Sequence, residues 1–287
     1  MPARALPAND ISPDLLALER IEVEPQQLRL SSPRDEAILL VTGMSPENRV
    51  ADLTHVAHVT SAKPAVAEFR DGAVRPTGNG ACELTVQVGE HQVVVPVVVE
   101  GFDQPSPVSF RKETVAALTR QGCNSGACHG SPSGKGGFQL SLQAYDHAMD
   151  ENSLARGEEG RRTNVIDPSQ SLLLLKPTMA VDHRGGLQLR TTDYAYDVLR
   201  QWIAEGCRVD AAKGARCVRL EILPASGRVL RQPHLRQQLV ARAHYDDGTV
   251  RDVTRLTKFS SSDEQIASVE EGGAVVGHRR GQVAVMA

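Results

Sequence analysis

Gly248-Thr249-Val250-Arg251-Asp252-Val253-Thr254 has an earlier counterpart in Asn48-Arg49-Val50-Ala51-Asp52-Leu53-Thr54. The correspondence extends outward in both directions. Arg20-Ile21-Glu22-Val23-Glu24-Pro25 matches Arg219-Leu220-Glu221-Ile222-Leu223-Pro224, and Val66-Ala67 matches Ile266-Ala267. Gly72 matches Gly272, Ala73-Val74 matches Ala274-Val275, and Gly80 matches Gly281. The offset stays within one residue of 200, a register that chance does not hold over so many positions.

Each copy reads as short alternating strands between turns. Leu239, Ala241 and Ala243 alternate with polar residues up to the Asp246-Asp247-Gly248 turn, and Val250 resumes after it. Copy one runs on through Glu83–Val88, a Gly89-Glu90 turn and Val93–Val99. This predicts an antiparallel β-sandwich, with Pro96 on an edge because proline cannot donate to a ladder. Cys82 alternates with Leu84, Val86 and Val88 and is expected as a small buried residue. The copies resemble bacterial immunoglobulin-like domains of group 2, the intimin/invasin-type module, over 17–101 and 217–287. The resemblance implies rigid spacers or adhesive units of exported proteins. With no cluster of aromatics or metal ligands in either copy, the spacer role is expected. Copy two ends at Met286-Ala287, where copy one still has its final strand pair to come, so an incomplete domain is expected there. Residues 1–16 read as an N-terminal extension.

Between the copies, 106–207 has a different character. Val108–Gln121 predicts a helix with Ser109 as its N-cap and Gly122 as its stop. It leads into Cys123-Asn124-Ser125-Gly126-Ala127-Cys128-His129. Near the end, Thr192 is placed to cap a helix over Asp193–Glu205, with Tyr196, Leu199, Trp202 and Ile203 on one face. Two cysteines followed at once by a histidine resemble a c-type haem attachment site, here with the longer C-x-x-x-x-C-H spacing. Cys123 and Cys128 would hold one haem covalently and His129 would be an axial ligand. The succession of Gly136-Gly137-Phe138, Gly160-Arg161-Arg162, Asp167-Pro168-Ser169-Gln170-Ser171-Leu172-Leu173-Leu174-Leu175-Lys176, His183-Arg184-Gly185-Gly186 and Trp202-Ile203-Ala204-Glu205-Gly206 resembles a planctomycete-type cytochrome c-like module. That resemblance places His183 as the second axial ligand ahead of Met179, with His147 third. Arg161 and Arg162 are candidates to pair with haem propionates, or else form a solvated pair beside Glu158-Glu159. Leu140, Leu142, Leu173, Leu175 and Trp202 are candidates for the haem pocket or a plain core.

The fold class expected is therefore multi-domain, all-β plus all-α: two Ig-like sandwiches flanking a small cytochrome c-like helical domain. The function expected is electron transfer by an exported, non-enzymatic haem protein at the periplasm or cell surface, with an unidentified redox partner protein; a continuation past Ala287 could be catalytic. Charge is nearly balanced, 32 basic against 35 acidic residues, which gives no sign of a nucleic-acid partner. No apolar run is long enough to span a bilayer, and the first residues carry no apolar leader although covalent haem attachment implies export. Paired carboxylates and nucleophile motifs are lacking, which argues against a hydrolase. Three alternatives remain open: a zinc site at Cys123, Cys128, His129 and His183; a Cys123–Cys128 disulfide in a structural surface protein without haem; and a Cys207–Cys217 bridge against free thiols.

Overall fold

The computed structural model describes residues 18–47, 49–210, 214–225, 227–232 and 234–287. The expected extension at 1–16 lies outside them, as does Asn48 of the repeat. The described chain divides into two compact units. One holds the described residues up to Pro105 with Glu221–Arg242 and Phe259–Met286; the other holds Ser106–Leu220 and Ala243–Lys258.

In the first unit, copy one forms nine strands: β1 (Arg20–Glu24), β2 (Leu28–Leu30), β3 (Leu40–Met44), β4 (Val50–Asp52), β5 (His58–Ser61), β6 (Ala67–Arg70), β7 (Ala73–Pro76), β8 (Gly80–Val88) and β9 (His91–Val99). They pair as β1-β3-β4, as β2-β9-β8-β5 and as a β6-β7 hairpin. Alternation decides which side chains go inward. Ile21 and Val23 of β1, Val41 of β3, Leu84, Val86 and Val88 of β8, and Val95, Val97 and Val99 of β9 share one core with Cys82. Each such buried aliphatic side chain contributes about 1.5–3 kcal/mol.

The pairing is not purely antiparallel, because β2 runs parallel to β9. Pro96 is on a strand with neighbours on both sides, yet β2 reaches only Val97–Val99, so the proline falls just where that neighbour ends.

Copy two forms β10 (Cys217–Leu223), β11 (Arg236–Gln238), β12 (Val240–Tyr245), β13 (Val250–Asp252), β14 (Ser260–Ser261), β15 (Ala267–Val269), β16 (Ala274–Gly277) and β17 (Val285–Met286). Their sheets are small: β10-β12-β13, β11-β16-β15 and β14-β17. The copies share local bonding. Asp52 accepts from the Thr54 amide and Asp252 from the Thr254 amide, both at 2.9 Å. Ser61 and Ser261 each accept from the amide two residues on, both at 3.2 Å. The Glu24–Pro25 and Leu223–Pro224 peptides are both cis.

The expected helical cytochrome c-like domain is not what the chain builds, and the fold class is corrected accordingly. Among the described residues strand outweighs helix, and 106–210 carries four short α-helices: α1 (Val115–Arg120), α2 (His147–Glu151), α3 (Leu172–Leu175) and α4 (Tyr194–Ala204). The longest has 11 residues. Propagation fails for a local reason. Between Gly122 and Gly186 six glycines and five other residues take positive φ, and each such residue breaks the right-handed ladder.

Helix α1 starts from a π turn at Phe110–Thr114, where Ser109 Oγ accepts from the Lys112 amide at 3.1 Å. Asp210 accepts from the Phe110 and Arg111 amides, so the helix entrance is tied to a residue a hundred positions away. Helix α4 begins after Asp193 and not at Thr192; the Asp193 carboxylate accepts from the Arg190 amide. Its apolar face packs Val198, Leu199, Trp202 and Ile203 against Phe110, Ala117, Leu118 and Leu140. Trp202 is fully buried and donates from Nε1 to the Arg208 carbonyl at 2.8 Å. Trp202→Ala should destabilise this unit by about 3–5 kcal/mol through the cavity it leaves and the orphaned carbonyl. A loss under about 1 kcal/mol in urea titration followed by circular dichroism would contradict this packing.

Candidate functional site

Helix α1 ends at Arg120, and two residues on Gly122, with φ of +73°, turns the chain into the Cys123–His129 loop. The loop closes on its own backbone. The Cys128 and Gly130 amides donate to the Ser125 carbonyl, and the His129 amide donates to the Cys123 carbonyl at 3.0 Å. Asn124, almost fully buried, donates to Thr119 Oγ1 at 2.8 Å and anchors the loop to α1. Gly130 is obligatory, since a Cβ there would stand 2.1 Å from the Asn124 carbonyl oxygen. Two cysteines and a histidine separated by four residues are thereby brought to one wall.

That wall belongs to a cavity of about 640 Å³. Cys123, Cys128, His129, Arg161, Arg162 and His183 all line it. Met179 does not; it is exposed in a turn with φ +61°. His147 sits on α2, also away from the cavity. Of the apolar candidates only Leu173 reaches the wall: Leu140 and Trp202 are in the core, Leu142 is exposed and Leu175 is half-buried.

The two histidines are prepared alike. His129 Nδ1 lies 3.0 Å from the Phe138 carbonyl oxygen and His183 Nδ1 lies 2.8 Å from that of Gly186. A carbonyl only accepts, so Nδ1 carries the proton in both rings and a neutral ring offers its lone pair at Nε2. Burial holds the His129 imidazole below its ordinary value, and nearby His183 and Arg162 act in the same direction. Burial pushes the Cys123 thiol up to about 12, with Cys128 adding to the effect. The ring centroids of His129 and His183 are 6.4 Å apart with planes inclined by 21°.

Charge around the cavity is one-sided. Lys135, Arg161, Arg162, Lys176 and Arg184 face a single carboxylate, Asp182. The sequence gives no role to Lys176 and Arg184, which stand inside the quoted motifs, or to Lys135, which directly precedes one. Arg161 is exposed, whereas Arg162 spends its two terminal nitrogens on the Ser153 and Gly137 carbonyls, at 3.2 and 2.7 Å.

These residues fit a covalently held haem. Two imidazoles on one iron need centroids about 6 Å apart, from metal–nitrogen bonds of ~2 Å and ring nitrogens ~1 Å from their centroids. The volume is within the usual range of about 300–1,000 Å³ for a cofactor pocket. The excess of cations suits a ligand with two carboxylates. A zinc site fits less well: among the described residues no three His, Cys, Asp or Glu side chains are grouped to hold a metal ion. All five cysteines are free thiols. Neither the Cys123–Cys128 nor the Cys207–Cys217 bridge is formed, and the Cys207 thiol instead meets the Thr163 side chain.

No protein-family model matches the chain, and no curated protein matches it. Solved structures that match include domains 5–6 and domains 4 and 5 of the S-layer protein SbsC. Each is 23% identical over 29% of this chain, with a TM-score of 0.25. The chain spans 44% of the first and 52% of the second, about half the length of either. None of the described helices is long and apolar enough to cross a membrane.

Proposed function

We propose that the second unit holds one c-type haem and that the protein is an exported electron carrier, its β-repeats acting as spacers at the cell envelope. One observation carries the reading. Two histidines line the same cavity as the free thiols of Cys123 and Cys128, and both have Nδ1 committed to a carbonyl, with 6.4 Å between ring centroids. Cys123 and Cys128 would hold the group as thioethers, His129 and His183 would be its axial ligands, and Arg161 would meet a propionate. The bound haem would supply one-electron transfer. The chain's own part is to fix two lone pairs, supply positive charge and wall off solvent, and none of this needs an acid–base residue. Two histidines, in place of a histidine and a methionine, would set a lower reduction potential, since imidazole favours ferric iron. Export follows from where covalent haem is attached.

Protein matured in a periplasm with haem-attachment machinery should carry one haem by intact-protein mass spectrometry. The Cys123→Ala/Cys128→Ala variant should carry none on a denaturing gel. A Cys123–Cys128 disulfide with no haem in matured wild-type protein would refute the reading and leave a structural surface protein.

Gly185→Ala tests the second ligand. A Cβ there would come within 2.9 Å of His183 Cε1, so the ring must move. The haem should stay attached while the low-spin absorption spectrum is lost or shifted, and an unchanged spectrum would remove His183 from the site.

The unattached protein gives a third test. A thiol at about 12 has roughly a thousandfold less thiolate at pH 8 than one at the ordinary value of 9.0, so alkylation of Cys123 should slow about a thousandfold. The sign for stability follows. The raised value contributes stability that is complete below pH 9.0 and is lost as pH rises towards about 12. Labelling of Cys123 at the rate of an unfolded-peptide thiol would show that the loop is not closed.

A further inference from the structure

We propose that Arg162 is a positioning residue for His129: it clamps the Lys135–Phe138 turn, whose Phe138 carbonyl accepts the hydrogen bond from His129 Nδ1. The inference rests on the haem reading only for its consequence, which is to keep Nε2 free for iron.

The turn has little to hold it by itself. Gly136 and Gly137 both have positive φ, +61° and +72°, and are exposed. Its one rung joins Lys135 to Phe138, and the Phe138 carbonyl accepts both the Lys135 amide at 2.9 Å and His129 Nδ1 at 3.0 Å. Side chains are kept out on the near side, where a Cβ on Gly134 would stand 2.3 Å from that carbonyl oxygen. Two glycines in sequence lose more backbone freedom on ordering than any other pair, so a carbonyl beside them needs an external restraint.

Arg162 supplies that restraint in three ways. One terminal nitrogen donates to the Gly137 carbonyl at 2.7 Å, inside the turn. The other donates to Ser153 at 3.2 Å, on the π turn that follows α2. The guanidinium carbon lies 4.7 Å from the Phe138 ring centre, and that ring lies 4.6 Å from the His129 ring. A planar fork can bridge two carbonyls while stacking on an aromatic face; an ammonium group cannot do both. Arg162 thus acts on His129 through the turn, and this role differs from pairing with a propionate, which falls to the exposed Arg161.

Ring-nitrogen NMR of the haem-free protein provides the test, because it reads the His129 tautomer without any cofactor. In the wild type His129 should be protonated at Nδ1. In Arg162→Gln the Nε2-protonated population should rise about fivefold, the effect of losing one ordinary hydrogen bond. Arg162→Lys keeps the charge without the fork and should move in the same direction. Phe138→Leu, which leaves the carbonyl but removes the platform, should raise that population about twofold and decides the matter if Arg162→Gln does not fold. An unchanged tautomer in the folded variants would overturn the proposal whether or not haem binds. A wild-type protein that never takes up haem, but shows the shift, would overturn the haem reading alone. With haem attached, Arg162→Lys, which keeps the positive charge, should also displace the midpoint potential, which a loss of general stability would not do.

Discussion

The carbonyl oxygen of Phe138 is the atom on which the candidate site depends. It closes the Lys135 turn and fixes the His129 tautomer in one place. A histidine in an ordinary loop samples both tautomers and many ring orientations, and ligand chemistry needs one of each. The same demand recurs at Gly186, whose carbonyl fixes His183. Neither acceptor comes from a side chain. Both come from backbone that glycine-rich turns bend into place, so the site is encoded as much by conformation as by residue type.

That explains what the sequence shows and what it hides. Alternation at Cys82, Leu84, Val86 and Val88 reads directly as a buried face, because the strand period is local. Ser109 is legible as a cap and Gly122 as a stop for the same reason. The cysteines, His129 and His183 are legible as chemistry, and the chain gathers them at one cavity. The helices expected around Leu118 and Leu199 are both present, over 110–120 and Tyr194–Ala204, but the all-helical domain is not, because the residues between them leave the right-handed region repeatedly. The parallel pairing of β2 with β9 and the capping by Asp210 depend on contacts between distant positions, which no local pattern announces. Arg162 reads as one half of a charged pair; its use emerges only from where two carbonyls point.

Repetition in sequence does not produce repetition in organisation. The two copies share the Asp–Thr bond and the Ser turn down to a tenth of an ångström. Yet copy one closes a large core of its own, whereas copy two is divided between the units. Glu221–Arg242 belongs with copy one, where Leu223 and Val240 pack with Leu40 and Arg242 pairs with Glu24 at 3.2 Å. Ala243–Lys258 belongs with the cysteine loop's unit, where Tyr245 lies under Lys112 and Arg120 donates to the Thr257 carbonyl. Its own clusters are small, the largest resting on Leu239, Ala267 and Val275.

Among the described residues β2 pairs with β9 only over Val97–Val99, while at the other end of β9 the His91 Nε2 stands 3.1 Å from the Leu18 carbonyl oxygen. Pro96 falls where the β2 ladder ends, so its missing amide proton costs that ladder nothing. The residue that looks like a flaw in an otherwise regular strand therefore marks the place where one long strand is released from its parallel neighbour.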